Sequence, residues 1–198
     1  MSLYYTGIGS RKVPPDIALL MTLIGPKMEE AGFVLRSGGA EGSDTAFAAM
    51  VWKVEIYRPR RAGGFSPVHG TIDDYPKHLW VEAERVAASL HPFWPRLGEY
   101  AKALHTRNVF QVLGRDLQTP SKFVICWTPD GADGQMVKTS RDTGGTGTAI
   151  RLAAERGIPV VNLRRESWRN GFFLWCTGDH KEVFVNMRTT WPALSEKF

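Results

Sequence analysis

The stretch FVLRSGGAEGSD, residues 33–44, contains the pattern that decides the fold. An apolar run, Phe33 to Leu35, precedes three glycines, and a helical pattern follows from Asp44 to Trp52. The order predicts a strand, a glycine-rich loop and a helix, with Ser43 or Asp44 as the N-cap. Because glycine costs backbone entropy, the cluster raises the question of what approaches this backbone so closely.

The same alternation of strand and helix continues on both sides of this stretch. The predicted strands cover residues 3–8, 33–36, 54–57, 123–127 and 158–163, with a further edge strand at 182–185. The predicted helices cover residues 16–31 (with a kink at Gly25-Pro26), 44–52, 79–90, 100–113 and 148–156, and irregular loops cover 58–78 and 128–143. Such alternation implies right-handed crossovers and a parallel sheet. We therefore expect an α/β fold, a Rossmann-like three-layer sandwich with a mostly parallel sheet, in one domain spanning residues 1–198.

The composition is that of an ordinary globular protein. Apolar residues make up 43% and charged residues 23% of the 198 residues, and the formal net charge is +5. The two cysteines, Cys126 and Cys176, form neither a disulfide framework nor a metal motif. No signal peptide and no apolar run of membrane-spanning length is visible. We expect a cytoplasmic protein with no cofactor, no metal and no membrane partner.

The basic residues concentrate in two clusters, which are Arg58, Arg60 and Arg61, and Arg164, Arg165 and Arg169. Each cluster is either a solvated loop or a patch for phosphate or nucleic acid. The sequence leaves both interpretations open.

Three glycine-rich loops follow predicted strands and precede predicted helices: Thr6–Arg11, Ser37–Asp44 and Thr143–Thr148. In a parallel sheet such loops share the carboxyl edge, where ligands bind. Helix N-termini there offer free N–H groups to phosphate, and glycine lets a phosphate reach them. None of the loops has the Gly-Lys-Ser/Thr end of a Walker A motif, and the first lacks the third glycine of a dinucleotide fingerprint.

Several short motifs resemble a known family. Gly9-Ser10-Arg11, Ser37-Gly38-Gly39-Ala40 with Gly42 and Asp44, Tyr75-Pro76 with Leu79, and Arg107-Asn108 resemble the Rossmann-type domain of DNA-processing protein A (DprA). Gly144-Gly145-Thr146-Gly147-Thr148 resembles the phosphate loop of lysine-decarboxylase-like phosphoribohydrolases. Both groups belong to the SLOG superfamily, and the motif order holds over residues 3–163. The chain is most similar to short, stand-alone DprA-like proteins, which phages often encode.

The resemblance implies a pocket for a nucleotide, a nucleotide-derived ligand or single-stranded DNA, and a homodimer. The phosphate- and ligand-binding residues it implies are Gly7, Gly9, Ser10, Arg11, Ser37, Gly38, Gly39, Ala40, Arg107, Asn108, Gly144, Gly145, Thr146, Gly147 and Thr148. Asp44 is expected in the same pocket.

The resemblance also implies hydrolysis of an N-glycosidic bond. The phosphoribohydrolases carry their catalytic glutamate three residues after the Gly-Thr pair, where this chain has Arg151. Glu41 and Asp44 are therefore the candidate catalytic carboxylates. His105 is expected to be structural, since no metal partners surround it.

Three functions remain open from the sequence. The chain binds a nucleotide or nucleotide-derived ligand, with or without hydrolysis of its N-glycosidic bond, binds single-stranded DNA as DprA does, or is a scaffold that has lost its ligand. If a phosphate explains the glycines of residues 37–43, Gly39→Val should abolish binding and leave the fold intact.

Overall fold

A computed structural model of the protein describes residues 2–59 and 69–178. The strands are β1 (Leu3–Gly9), β2 (Phe33–Ser37), β3 (Val54–Tyr57), β4 (Thr71–Ile72), β5 (Val124–Trp127) and β6 (Val160–Asn162). The α-helices are α1 (Pro15–Glu30), α2 (Ser43–Ala48), α3 (Lys77–Leu90), α4 (Glu99–Leu113), α5 (Gly147–Glu155) and α6 (Glu166–Thr177). Short 3-10 helices lie at Trp94–Arg96 and Gly144–Thr146.

The six described strands form one parallel sheet in the order β4-β3-β2-β1-β5-β6. The buried side chains of α3, α4 and α5 pack in one apolar cluster. Those of α1, α2 and α6 pack in a second cluster. These two helix layers with the sheet between them confirm the prediction of an α/β, Rossmann-like three-layer fold.

The chain reverses its direction across the sheet at β1. From β1 it proceeds through β2 and β3 to the edge strand β4, and then returns over α3 and α4 to β5 on the other side of β1. Outside the carboxyl ends of β1 and β5 this reversal leaves a crevice, the usual ligand position in open α/β sheets.

Helix α2 is shorter than predicted, because it ends at Ala48 instead of Trp52. The backbone N–H of Trp52 donates a hydrogen bond to Glu29 Oε2 at 2.8 Å, which holds the following segment against the end of α1. A Cβ on Gly25 would lie 2.5 Å from the carbonyl oxygen of Phe47. Glycine in the middle of α1 therefore lets the two helices approach closely, and α1 continues through Gly25-Pro26 to Glu30.

Two elements were not predicted from the sequence. β4 lies inside the expected irregular loop of residues 58–78, where Ile56 pairs with Thr71 and Tyr57 with Ile72. It has only two residues and forms through pairing with β3, which local sequence does not reveal. The second is α6, whose buried side chains Phe172 and Trp175 pack in the same cluster as α1.

Two sequence predictions fall on residues outside the described part of the chain. These are the edge strand at 182–185 and two members of the first basic cluster, Arg60 and Arg61. In the second cluster, Arg165 pairs with Asp133 and Arg169 belongs to α6. No residue of the second cluster lines the cleft described below.

Candidate functional site

A cleft of about 430 Å³ lies at the carboxyl edge, at the reversal between β1 and β5. The end of β1, the β1–α1 loop, the β2–α2 loop, one face of α4 and residues 142–146 form its walls. We call the buried residues Asp44, Arg107 and Gln111 its floor, and the exposed residues Arg11, Lys12, Asp142, Gly144 and Gly145 its rim. The three glycine-rich loops therefore meet around one cavity.

The structure brings together most of the residues predicted as a site. Those that line the cleft are Gly9, Ser10, Arg11, Ala40, Asp44, Arg107, Asn108, Gly144, Gly145 and Thr146. Those that do not line it are Gly7, Ser37, Gly38, Gly39, Glu41, Gly147 and Thr148. The second group lies in the same loops, so these residues support the walls instead of facing the cavity.

The β1–α1 loop is held on both sides by backbone contacts. The N–H of Ser10 donates to the carbonyl of Trp127 at 2.9 Å, and Ser43 donates to the carbonyl of Ser10 through its N–H and its hydroxyl. A Cβ on Gly9 would lie 2.6 Å from the Trp127 carbonyl oxygen. Close packing between the loops therefore requires glycine at position 9.

Two cations project from this loop at the rim. Arg11 and Lys12 are exposed, and within the described residues no acidic side chain forms an ion pair with either. A guanidinium group and an ammonium group without an intramolecular partner are suited to hold an anionic ligand group.

Asp44 closes the β2–α2 loop from inside. Its Oδ2 accepts hydrogen bonds from the N–H of Gly38 at 3.1 Å and of Ala40 at 3.4 Å. The N-cap of α2 is Gly42, with no side-chain cap bond, so the prediction of Ser43 or Asp44 as N-cap is wrong. The carboxylate satisfies the backbone of the preceding loop instead of the first turn of the helix.

Contacts within the protein and the backbone conformation explain the glycines of this loop, and no ligand is needed to explain them. A Cβ on Gly38 would lie 1.1 Å from Arg107 Nη1, so the guanidinium occupies the side-chain space of residue 38. Gly39 and Gly42 have φ values of +63° and +85°, which favour glycine. Gly39→Val would therefore strain the backbone and approach Ile56 Cγ2, and it does not separate binding from folding.

An ion pair forms the centre of the floor. Arg107 Nη1 lies 3.6 Å from Asp44 Oδ2, and the two side chains are 9% and 5% exposed. Burial raises the pKa of the Asp44 carboxyl, while Arg107 and the N–H groups of Ala40 and Gly38 oppose that rise. Asp44 is therefore a buried carboxyl with a perturbed pKa in the lining of a cavity, which is typical of residues at functional sites.

Helix α4 contributes a second polar floor residue that the sequence analysis did not single out. Gln111 is 0% exposed, and neither Oε1 nor Nε2 of its amide has a hydrogen-bond partner. Arg107, one turn earlier on the same helix, has an unpartnered Nε. The available sequence signal was the i,i+4 spacing of Gln111 from Arg107, with apolar residues on both sides of the glutamine.

Two hydrogen bonds join α4 to the third glycine-rich loop. Asn108 Nδ2 donates to the carbonyl of Gly145 at 2.9 Å, and His105 Nδ1 shares a 2.8 Å hydrogen bond with Thr148 Oγ1. Burial, with the charges of His91, Arg107 and Arg151, lowers the pKa of His105 to about 4. His105 thus combines the expected structural contact with a place in the cleft wall, and its imidazole is neutral at pH 7.

Asp130 anchors the segment that leads into the third loop. Its Oδ2 accepts hydrogen bonds from the Ser140 N–H at 3.2 Å, the Ser140 hydroxyl at 2.6 Å and the Thr143 hydroxyl. Burial opposes ionisation, but the hydrogen bonds outweigh it and lower the pKa of Asp130 to about 2. The carboxylate therefore fixes the position of the loop that carries Gly144 and Gly145.

The glycines of the third loop face open space. A Cβ on Gly144 or Gly145 would meet no heavy atom within 4 Å. Thr146, the N-cap of α5, makes no side-chain cap bond. The 3-10 helix Gly144–Thr146 leads directly into α5, and the N–H of Gly147 donates to the carbonyl of Gly144. The open space beside this segment therefore lies at Gly144 and Gly145.

Neither Glu41 nor Arg151 lines the cleft. Glu41 is exposed and outside the cleft lining, so of the two candidate carboxylates only Asp44 reaches the cavity. The Arg151 side chain donates to Thr139 Oγ1 at 2.6 Å and to the Leu90 carbonyl at 2.9 Å. It supports the far side of α5, so the position that holds glutamate in the resembled enzymes faces away from the cleft.

Fold and site define a Rossmann-like α/β protein with a polar cleft at its topological switch point. A scan against protein-family models finds no match, and searches of curated proteins and of solved structures find none either. The resemblance to the SLOG superfamily therefore stays a prediction from the motifs. Among the described residues, no helix has the length and apolar character to span a membrane, and no three His, Cys, Asp or Glu side chains form a metal-binding group.

Proposed function

We propose that this protein binds a nucleotide or a nucleotide-derived ligand in the cleft between β1 and β5. One observation carries the proposal: a buried, incompletely satisfied polar floor lies beneath a rim with two unpaired cations. Small-molecule sites combine a concave cavity with a few convergent polar groups, and about 430 Å³ is within their usual size range.

The anionic part of the ligand is assigned to the rim. Arg11 and Lys12 supply positive charge there, and the exposed Gly145 leaves room for a phosphate beside the start of α5. Asp44, in contrast, places a carboxyl at the floor. At the floor the charge of Arg107 is already paired with Asp44, whereas at the rim Arg11 and Lys12 outnumber the one exposed carboxylate, Asp142, so charge favours a phosphate at the rim.

A mononucleotide-sized ligand is favoured over single-stranded DNA. Single-strand binders use an open, basic groove with aromatic platforms for successive bases. Here the unsatisfied polar atoms are buried in the cleft floor, and no Phe, Tyr or Trp is among the described residues that line the cleft. DprA-like DNA binding is the second candidate, and the binding measurement below separates the two.

Hydrolysis of an N-glycosidic bond, the activity implied by the resemblance, would depend on Asp44. The carbon–nitrogen bond between sugar and base breaks, a water oxygen binds the sugar carbon, and the departing base nitrogen takes a proton. Asp44 is the buried carboxyl of the cleft, and its raised pKa suits the exchange of that proton. Asp44→Asn should abolish base release from any nucleotide that the protein hydrolyses.

Calorimetry with AMP, GMP, ADP-ribose, inorganic phosphate and a short oligothymidylate tests the proposal. We expect saturable one-site binding of a nucleotide with weak salt dependence, and a loss of roughly tenfold in affinity in Arg11→Ala. Lys122→Ala is the matched control, because Lys122 is an exposed cation beside the start of β5, at the opposite edge of the sheet.

Two results would contradict the proposal. Binding of the oligothymidylate alone, weakening steeply with salt, would favour the DNA-binding function. Failure to bind any of these compounds would favour a scaffold without a ligand.

A further inference from the structure

Gln111 stands out among the buried polar side chains of the described structure. It is fully buried, it lines the cleft, and both ends of its amide lack a partner. Buried side-chain amides almost always form hydrogen bonds, because the loss of water is otherwise uncompensated. An amide that is unpaired at both oxygen and nitrogen therefore indicates a partner from outside the chain.

Gln111 packs beside Arg107 in the floor of the cleft, against the backbone of the β2–α2 loop. A Cβ on Gly38 would lie 2.6 Å from Gln111 Nε2 and 1.1 Å from Arg107 Nη1, so both side chains pack over the same backbone. The unpaired Nε of Arg107 adds a third free polar atom in this region. The floor thus presents at least two donors and one acceptor.

We propose that Gln111 is the specificity-determining residue of the cleft and binds a neutral ligand edge with a donor beside an acceptor. This inference rests on the proposed nucleotide-binding function and assigns the orientation of the ligand. Its neutral part enters first and meets Gln111 and Arg107, while its phosphate stays at the rim with Arg11 and Lys12.

The chemistry of the amide disfavours a fully ionised phosphate as the partner of Gln111. An ionised phosphate oxygen accepts hydrogen bonds, so it would satisfy Nε2 and leave Oε1 without a donor. The cation of the floor, Arg107, is paired with Asp44, so the floor residues offer an anion no unpaired positive charge. Adjacent donors and acceptors occur in a nucleotide on the sugar hydroxyls and on the polar edge of the base.

Gln111→Met tests the inference, because methionine keeps the unbranched shape and removes both hydrogen-bonding atoms. We expect about a tenfold or greater loss of affinity for AMP or GMP, whichever the wild-type protein binds, and unchanged affinity for inorganic phosphate. The midpoint of thermal unfolding should stay or rise, since two unsatisfied buried atoms are removed. Gln111→Leu is the second variant should the methionine protein fail to fold, and Gln118→Met on the exposed surface is the control.

Ribose 5-phosphate identifies the ligand edge. An equal loss of affinity for ribose 5-phosphate in Gln111→Met assigns the amide to the sugar hydroxyls. A loss confined to the nucleotide assigns it to the base. Unchanged affinity for both compounds in a folded variant overturns this inference and leaves the nucleotide-binding proposal standing. Failure of the wild-type protein to bind any of them overturns both.

Discussion

The second and third glycine-rich loops look alike in sequence and differ in the reason for their glycines. In the loop of residues 37–43, the space beside Gly38 is filled by the Arg107 guanidinium, and Gly39 and Gly42 have positive φ. In the loop of residues 143–148, Gly144 and Gly145 have no neighbour within 4 Å of an added Cβ. The second glycine-rich loop is thus packed against protein atoms, and the third has open space beside Gly144 and Gly145.

This difference separates two meanings of a glycine cluster. A glycine that adjoins a buried cation is required for folding, and its substitution first affects stability. Gly144 has a φ of +62°, so its backbone conformation also favours glycine. At Gly145 neither the φ value nor a neighbouring atom demands glycine, so a requirement there would come from what binds at the rim. Substitutions in the second loop should therefore change the free energy of unfolding, and substitutions in the third loop should change the affinity for a ligand.

The largest effect is expected from Arg107→Met, which removes the cation that closes the second loop. Asp44 would stay buried and lose its charged partner, so the free energy of unfolding should fall by about 3 kcal/mol at neutral pH. Because burial raises the pKa of Asp44, the folded variant takes up a proton at higher pH than the unfolded chain. The destabilisation should therefore shrink as the pH falls, which urea unfolding at about pH 8 and about pH 5 would measure.

Asp44→Asn in the Arg107→Met background is the matched control, since it removes the charge that burial penalises. It should restore part of the lost stability and abolish the pH dependence. A destabilisation that is the same at both pH values would show that the ion pair does not close the loop.

A smaller effect is expected from Gly38→Ala. The new methyl group would displace Arg107 Nη1 from the position 1.1 Å away, but the flexible guanidinium can move and keep part of its attraction to Asp44. We expect a loss of about 2 kcal/mol in the free energy of unfolding. Gly145→Ala should change that free energy by less than about 0.5 kcal/mol and weaken AMP binding.

Chemical denaturation and calorimetry on this pair compare the two loops directly. Equal loss of stability in Gly38→Ala and Gly145→Ala would remove the distinction drawn between them. Loss of AMP affinity in Gly38→Ala with unchanged stability would indicate that the second loop contacts the ligand.

The smallest effect is expected from Asp130→Asn, which loosens the anchor of the third loop. The hydrogen bonds of Asp130 lower its pKa from 3.8 to about 2, so the stability they add is present above pH 3.8 and is lost as the pH falls through about 2. The gap in urea midpoint between wild type and variant should close over that range. At neutral pH the AMP affinity should fall about threefold, on the order of one weak hydrogen bond.

Asp116→Asn is the control for this prediction. Asp116 also accepts hydrogen bonds from a turn, from the N–H groups of Gln118 and Thr119, and lies outside the cleft lining. An equal loss of AMP affinity in both variants would indicate a general effect of stability instead of an effect on the third loop.

Much of the fold could be predicted from local sequence. Alternating apolar runs and helical patterns marked β1, α1, β2 and the long helix α4 within a few residues of their observed bounds. β4 and α6 escaped prediction for different reasons. β4 exists through pairing with β3, and α6 contains Gly171 and several aromatic residues, which are weak helix formers, and is supported by burial of Phe172 and Trp175.

The candidate site could be predicted in part. The glycine-rich loops and the Arg107-Asn108 pair were visible as motifs, and the structure places members of each around one cleft. Gln111 was missed because glutamine in a helix is ordinarily solvent-exposed, and its burial depends on how α4 packs over the sheet. Glu41 was selected by its position in a loop, and the direction of that loop leaves it exposed.

The sequence by itself determined the layered α/β architecture and the edge of the sheet at which the glycine-rich loops lie. Hydrophobic periodicity and glycine positions act locally, and parallel crossovers bring every strand-to-helix loop to one edge. Only the tertiary structure decided which glycines adjoin protein and which adjoin open space. That distinction depends on contacts between distant residues, such as Gly38 with Arg107 and Asn108 with Gly145, which form only when α4 packs against the loops.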